Sequence, residues 1–174
     1  SIDPAGDFII TPIAQKIENK QCVSLSPMKE MLDYSVFIPF INHIVNMGIK
    51  EYFGLDFFTE EETNDIYFVE CNPRYTGASL PLLLAKKLGI KHWETDTITI
   101  KPDVNPNDIL DFFDNKDVSR YVILLDFSFI KFNKVNVFLF GEKEKYTKIM
   151  NNFIAKFGIH EAAVITSTSL FTQA

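Results

Sequence analysis

The feature that most constrains the fold is a pair of strand-like segments joined by an acidic connection. Residues 52–58 and 66–70 are rich in aromatic and apolar side chains. Such runs are typical of β-strands, and a short polar connection between two of them predicts an antiparallel hairpin with a solvated tip. The connection contains four acidic residues, Glu60, Glu61, Glu62 and Asp65.

A second hairpin and a long helix are predicted before these strands. Apolar residues between positions 8 and 23 form two short runs separated by a polar turn, which predicts two paired strands. Ser26 followed by Pro27 is a typical helix start, and apolar residues then recur at helical spacing as far as Gly48. Pro39 lies inside this pattern and is expected to kink or split the helix, because proline removes a backbone donor.

A short helix is predicted after the acidic hairpin, over residues 80–88, with Ser79 as N-cap and Gly89 as left-handed C-cap. Beyond residue 90 the pattern predicts a smaller α/β lobe whose strand phenylalanines belong to its core. The fold class is therefore α/β of the α+β type, with an antiparallel sheet and flanking helices. The expected elements of the lobe are strand 95–101, helix 106–113, strands 121–131 and 135–140, helix 142–157 and a last strand at 162–167.

Charge and composition exclude several classes of function. The chain has 17 Lys and Arg against 23 Asp and Glu, a net charge of −6, which argues against nucleic-acid binding and basic membrane-surface binding. No apolar run approaches the roughly 18 residues of a membrane span. Two cysteines without a CxxC motif suggest neither a disulfide framework nor a zinc cluster and favour a reducing cytoplasm. The seven glycines do not have the spacing of a dinucleotide-binding or P-loop motif.

Oxygen-bearing side chains are concentrated on the acidic hairpin. Strict alternation along the second strand places Glu70 and Asn72 on one face. If the strands pair as a hairpin, Asp56 comes opposite Glu70 on that face. Carboxylate and amide oxygens grouped in this way are typical magnesium ligands. Alternation assigns three neighbouring residues to the other face, Tyr67, Val69 and Cys71.

Arg74 follows Asn72 by two positions, where its guanidinium could stabilise charge on a phosphoryl or acyl-phosphate oxygen. Each of these residues also fits an ordinary structural role. Asp56 could be a strand-end turn residue, Glu70 an exposed strand residue, and Asn72 a turn initiator before proline. Arg74 could be a salt-bridge partner of Glu70.

The segment Gly54-Leu55-Asp56-Phe57, followed after a strand-turn-strand gap by YFVECNPRYTGAS, resembles the carboxy-terminal metal-binding hairpin of the ATP-grasp superfamily. This superfamily includes carboxylate–amine ligases and carbamoyl-phosphate synthetases. The resemblance implies two Mg²⁺ (or Mn²⁺) ions, bound with ATP by Asp56, Glu70 and Asn72. It also implies a catalytic role for Arg74 at the reacting carboxylate. The implied substrate-binding residues are Thr76, Gly77 and Ser79.

The resemblance also implies how the chain is organised. Residues 1–90 would be the carboxy-terminal half of an ATP-grasp domain, and residues 91–174 a small terminal α/β lobe. Residues 1–55 contain no match to the adenine hinge, the phosphate-binding lysines or the mobile glycine-rich loop of the family. We therefore expect the chain to be the carboxy-terminal part of a longer polypeptide, inactive without the missing amino-terminal part.

Two functions are consistent with these observations. The first is the Mg-ATP-binding part of a cytoplasmic, ATP-dependent carboxylate ligase that forms an acyl phosphate for attack by an amine or similar nucleophile. The partners would then be ATP, a small carboxylate, the missing part of the polypeptide and, as a further candidate, a second copy of the chain in a homodimer. The second is a non-catalytic α/β interaction module, or a degenerate ATP-grasp relative, that keeps the hairpin only as scaffold.

Overall fold

The computed structural model describes residues 11–18, 21–28, 33–49, 52–60, 62–63, 65–126 and 128–159. The chain divides into two compact units, residues 1–95 and 96–174. The described part combines α-helices with small antiparallel sheets, so the expected mixed α/β fold of the α+β type is confirmed. Of the helices described, none has the length and apolar character needed to cross a membrane.

The described part of the first unit consists of two hairpins and two α-helices. Both hairpins are two-stranded and antiparallel, as predicted. A 3₁₀ turn at Tyr34–Phe37 leads directly into the first helix. In chain order the elements are β1 (Ile13–Glu18), β2 (Gln21–Pro27), α1 (Ile38–Asn46), β3 (Gly54–Thr59), β4 (Ile66–Asn72) and α2 (Ser79–Leu88).

The predicted start of the long helix is wrong. Ser26 and Pro27 are the last residues of β2, paired with β1, and α1 begins only at Ile38. Pro39 does not kink a helix but stands in its first turn, where the missing N–H has no intrahelical acceptor to lose. Sequence periodicity did not distinguish the end of β2 from the start of α1, because apolar residues continue at helical spacing from one to the other.

The short helix α2 differs from expectation only at its start. It begins at Ser79, and Ala78 is its N-cap, with no side-chain capping bond. The Ser79 hydroxyl instead accepts a hydrogen bond from the Thr76 backbone N–H at 2.9 Å. Gly89 ends the helix with a φ of 68°, which confirms the predicted left-handed cap.

A β-bulge divides the β3–β4 hairpin into two parts. Asp56 pairs with Glu70, whereas Phe57 pairs with Phe68, so Val69 is the extra residue. Paired residues share a face, so Phe57 and Phe68 lie together on the face opposite Asp56 and Glu70. Both phenylalanine rings make edge-on contacts with the Phe37 ring, at centroid distances of 5.1 and 5.3 Å.

The bulge corrects the strict alternation expected for β4. Tyr67 pairs with Phe58, and their rings stack at 5.1 Å. Phe58 is two residues from Asp56 in β3, so Tyr67 lies on the Asp56–Glu70 face rather than on the other one. Cys71 pairs with Leu55 and keeps its predicted place opposite that face.

The described part of the second unit packs one long helix and two shorter ones against a three-stranded sheet, in the order β5 (Trp93–Thr99), β7 (Lys134–Phe140) and β6 (Val122–Asp126). The predicted strand at 121–131 is too long, because β6 ends at Asp126 and a 3₁₀ turn covers Ser128–Phe132. The last predicted strand, at 162–167, and residues 8–10 of the first lie outside the described residues. The elements are β5 (Trp93–Thr99), α3 (Pro106–Asp114), α4 (Lys116–Ser119), β6 (Val122–Asp126), β7 (Lys134–Phe140) and α5 (Lys143–Phe157).

The core of the second unit is one contiguous cluster of aliphatic side chains and phenylalanine rings. Phe153 of α5 is fully buried, with ring centroids 5.0 to 5.2 Å from those of Phe112, Phe113 and Phe157. Of the strand phenylalanines expected in the core, Phe138 is 0% exposed and Phe140 half-buried. Phe132 is 61% exposed, because the 3₁₀ turn carries it out of the strand.

Candidate functional site

The first unit contains a cavity of about 460 Å³. It lies among β1, β2, α1, the β3–β4 hairpin and the start of α2. Its lining includes all seven residues that the sequence analysis selected, Asp56, Glu70, Asn72, Arg74, Thr76, Gly77 and Ser79. Pairing of β3 with β4 brings Asp56 beside Glu70. The other five residues follow Glu70 within nine positions of the chain.

The hairpin register places the three proposed metal ligands side by side. Asp56 is directly opposite Glu70, and Asn72 is opposite Gly54. Side chains of residues directly opposite in an antiparallel pair have Cβ atoms about 5 Å apart. The oxygens of Asp56 and Glu70 are therefore within reach of one small cation.

Hydrogen bonds engage these polar groups unevenly. The Gln15 side-chain amide of β1 donates to Oδ1 of Asp56 at 3.4 Å. Among the described residues, neither the Glu70 carboxylate nor the Asn72 side-chain amide has a protein hydrogen-bond partner. Glu70 is exposed and Asn72 half-buried, so both retain coordination capacity toward the cavity.

Arg74 is exposed at the cavity, and its Nη1 donates one hydrogen bond, to the Tyr75 carbonyl at 3.3 Å. The alternative of a salt bridge from Arg74 to Glu70 does not occur between these two described residues. The Arg74 backbone N–H donates to the Asn72 carbonyl at 2.8 Å, which holds the turn that follows β4. The guanidinium therefore has further N–H donors for an anionic ligand.

Cys22 of β2 also lines the cavity. Burial raises the pKa of its thiol, and the negative charge of Asp56 raises it further, although a backbone hydrogen bond involving Ser24 lowers it. Cys22 is consequently a neutral thiol at physiological pH. The acidic side chains of the cavity lining are therefore those of Asp56 and Glu70.

The loop that leads into α2 is held by Thr76 and Ser79. The two residues exchange backbone and side-chain hydrogen bonds, with Ser79 N–H donating to the Thr76 carbonyl at 3.0 Å. The Thr76 methyl fills the space above Gly54, because a Cβ atom at Gly54 would be only 2.7 Å from Thr76 Cγ2. A Cβ atom on Gly77 would meet nothing within 4 Å.

Gly54→Ala should therefore destabilise the first unit by about 1–3 kcal/mol, the usual cost of overpacking. Urea denaturation followed by circular dichroism measures this. Adding Thr76→Ser removes the clashing methyl and should restore most of the loss. Gly77→Ala is the matched control, since its Cβ has open space. Equal stability of the Gly54 and Gly77 variants would show that Thr76 does not pack on Gly54.

The donor set suits a hard divalent cation bound together with phosphates. Within the described ranges, no three His, Cys, Asp or Glu side chains are grouped so that they could hold a metal ion. The site therefore offers two carboxylates and one amide. Mg²⁺ is commonly bound through one or two carboxylates plus phosphate oxygens of the substrate, and this set matches that requirement.

Sequence reasoning missed the residues that complete the cavity from other elements. Gln15 and Cys22 come from the first hairpin, and Phe37 and Ile41 come from the segment before β3. Tyr52 also lines the cavity, and its ring stacks on Tyr75 at 4.8 Å. No local motif marks these positions, because only the tertiary fold brings them beside the β3–β4 hairpin.

The chain matches no protein-family model. It also matches none of the curated proteins. The indications of function are therefore the geometry of the cavity and the resemblance of the hairpin motif.

Proposed function

We propose that this chain is the Mg-ATP-binding part of an ATP-dependent carboxylate ligase of the ATP-grasp type. The observation that supports the proposal is that Asp56, Glu70, Asn72 and Arg74 line the same cavity. The two carboxylates and the amide suit Mg²⁺ with phosphate, and the guanidinium suits an anionic acceptor. The reaction would be phosphoryl transfer from ATP to a carboxylate, followed by attack of an amine or similar nucleophile on the acyl phosphate.

In this mechanism the metal ions would neutralise phosphate charge and align the reactants. Asp56, Glu70 and Asn72 would hold the cations on one face of the hairpin. Arg74 would bind and orient the carboxylate, since bidentate guanidinium–carboxylate pairs fix geometry as well as charge. Thr76, Gly77 and Ser79 would position the substrate beside the start of α2. Holding the two reactants next to each other would supply much of the rate enhancement.

Ligand-induced stabilisation tests the proposal directly. A ligand that binds only the folded state stabilises it by mass action, by about 2.7 kcal/mol at 100 times its Kd. Mg²⁺ with ADP should therefore raise the melting temperature of the chain, whereas ADP with EDTA should not. Mg²⁺ with AMP is the control, because AMP lacks the β-phosphate. An unchanged melting temperature at millimolar Mg²⁺ and ADP would contradict the assignment of Mg²⁺–nucleotide binding to this part of the enzyme.

One observation favours the second candidate, a non-catalytic interaction module. The hairpin exposes a stacked pair, Phe58 and Tyr67, at 56% and 44%, next to Val69 at 66%. Exposed apolar side chains in a group are typical of interaction surfaces. An interaction module should melt at one temperature with and without Mg²⁺ and ADP, so the same measurement separates the two candidates.

A further inference from the structure

The cavity of the first unit has an extensive apolar wall in addition to its polar residues. Phe37 and Ile41 are each only 5% exposed, yet both border the cavity. Half-buried apolar side chains from three further elements complete the wall, Leu25 of β2, Phe57 of β3 and Leu82 of α2. The wall is thus built by the 3₁₀ turn, α1, β2, β3 and α2, and is not an isolated exposed side chain.

The charged residues of the lining are confined to one segment. Asp56, Glu70, Asn72 and Arg74 all belong to the β3–β4 hairpin or the turn directly after it. Small-molecule sites are typically concavities of roughly 300–1,000 Å³ with mainly apolar walls and a few polar groups that fix orientation. The cavity, at about 460 Å³, has a volume in this range and combines an apolar wall with a few polar groups. Such a site favours a ligand with one anionic end and an apolar remainder.

We propose that the carboxylate bound at this site is an acid with an apolar body, either a medium-length aliphatic acid or an aryl-substituted one. The assignment of this acid as a substrate rests on the proposed function above. The carboxylate would meet the Arg74 guanidinium, and the body would lie on the wall formed by Phe37, Ile41 and Leu82. An amino acid or a dicarboxylate would have to desolvate a second charged group on that wall, which is costly.

A series of straight-chain acids measures the contribution of the wall. Binding of acetate, butanoate, hexanoate and octanoate to the whole chain is followed by titration calorimetry in the presence of Mg²⁺ and ADP. Affinity should rise roughly fourfold for each added methylene until the wall is covered. Succinate and glutamate serve as polar comparators and should bind more weakly than hexanoate.

Two neighbouring leucines of α2 provide a matched pair of variants. Leu82 lines the cavity, whereas Leu83 is 40% exposed and does not line it. Leu82→Phe should shorten the longest acid that gains affinity, while Leu83→Phe should leave the series unchanged. Arg74→Gln should weaken every acid by a similar factor and leave the gain per methylene intact. Circular dichroism melting of each variant verifies that it is folded.

The outcomes separate this inference from the proposed function. Affinity that does not depend on chain length, or tighter binding of glutamate than hexanoate, overturns the inference. Competition between ADP and octanoate would assign the wall to the nucleotide base and also overturns it, while leaving the ligase proposal intact. Absence of acid binding beside normal Mg²⁺–ADP binding also overturns the inference and leaves the ligase proposal intact. Length-dependent acid binding without any Mg²⁺–ADP binding supports the apolar ligand and contradicts the ligase.

Discussion

Phe153→Ala is expected to lower the free energy of unfolding of the second unit by about 3–5 kcal/mol, the range for large-to-small substitutions of buried phenylalanine. Phe153 is 0% exposed, and its ring contacts those of Phe112, Phe113 and Phe157. The substitution removes the burial of a whole ring and leaves a cavity that the surrounding rings fill only partly. Urea denaturation monitored by circular dichroism should show the loss as a lower transition midpoint.

Phe132→Ala is the matched control for this prediction. Phe132 is 61% exposed at the end of the 3₁₀ turn, so its truncation should change stability by no more than about 0.5 kcal/mol. Equal effects of the two substitutions would contradict the placement of Phe153 at the centre of the core. A cost at Phe153 with no cost at Phe132 would support it.

Glu70→Gln should weaken the Mg²⁺-dependent binding of ADP by at least roughly 10- to 100-fold. Loss of even an indirect partner of a metal ligand typically costs that much, and here a direct ligand would lose its charge. Glutamine keeps the size of the side chain, and Glu70 is exposed, so the fold should be unaffected. Titration calorimetry with ADP, in Mg²⁺ and separately in EDTA, measures the metal-dependent part of the affinity.

Asp56→Asn should have a similar effect, because Asp56 is the residue paired with Glu70. Glu62→Gln is the control, since Glu62 is an exposed carboxylate of the same hairpin that does not line the cavity. Retention of the full Mg²⁺ response in both Glu70→Gln and Asp56→Asn would overturn the assignment of the metal ligands. A loss in all three variants would indicate a general electrostatic effect of the hairpin.

Local patterns predicted most of the elements and the pairing of the acidic hairpin. Two runs rich in aromatic and apolar residues, one on each side of a polar connection, left few other ways for residues 52–70 to pair. The start of α1 was not predictable from periodicity, because Ser26 and Pro27 suit a helix start and the end of a strand equally well. Pairing of β2 with β1, a contact between different segments, decides the outcome.

The candidate site was likewise predictable only in part. Its charged residues and Asn72 could be predicted from sequence because they lie between Gly54 and Ser79 on one hairpin and the loop after it. Its apolar wall could not, since Leu25, Phe37 and Ile41 look like any other core residues until the fold places them beside a cavity. The position of Tyr67 was missed because a bulge depends on backbone geometry that alternation of side chains does not encode.

The unpaired Val69 has a consequence for how this hairpin could diversify. On one side of the bulge, Asp56 and Glu70 line the cavity, and on the other, Phe57 and Phe68 anchor the hairpin to Phe37. Exchange of the carboxylates leaves the anchoring rings in place, and repacking of the rings leaves the carboxylates paired. New chemistry and new scaffolding could therefore arise in this strand by separate evolutionary steps.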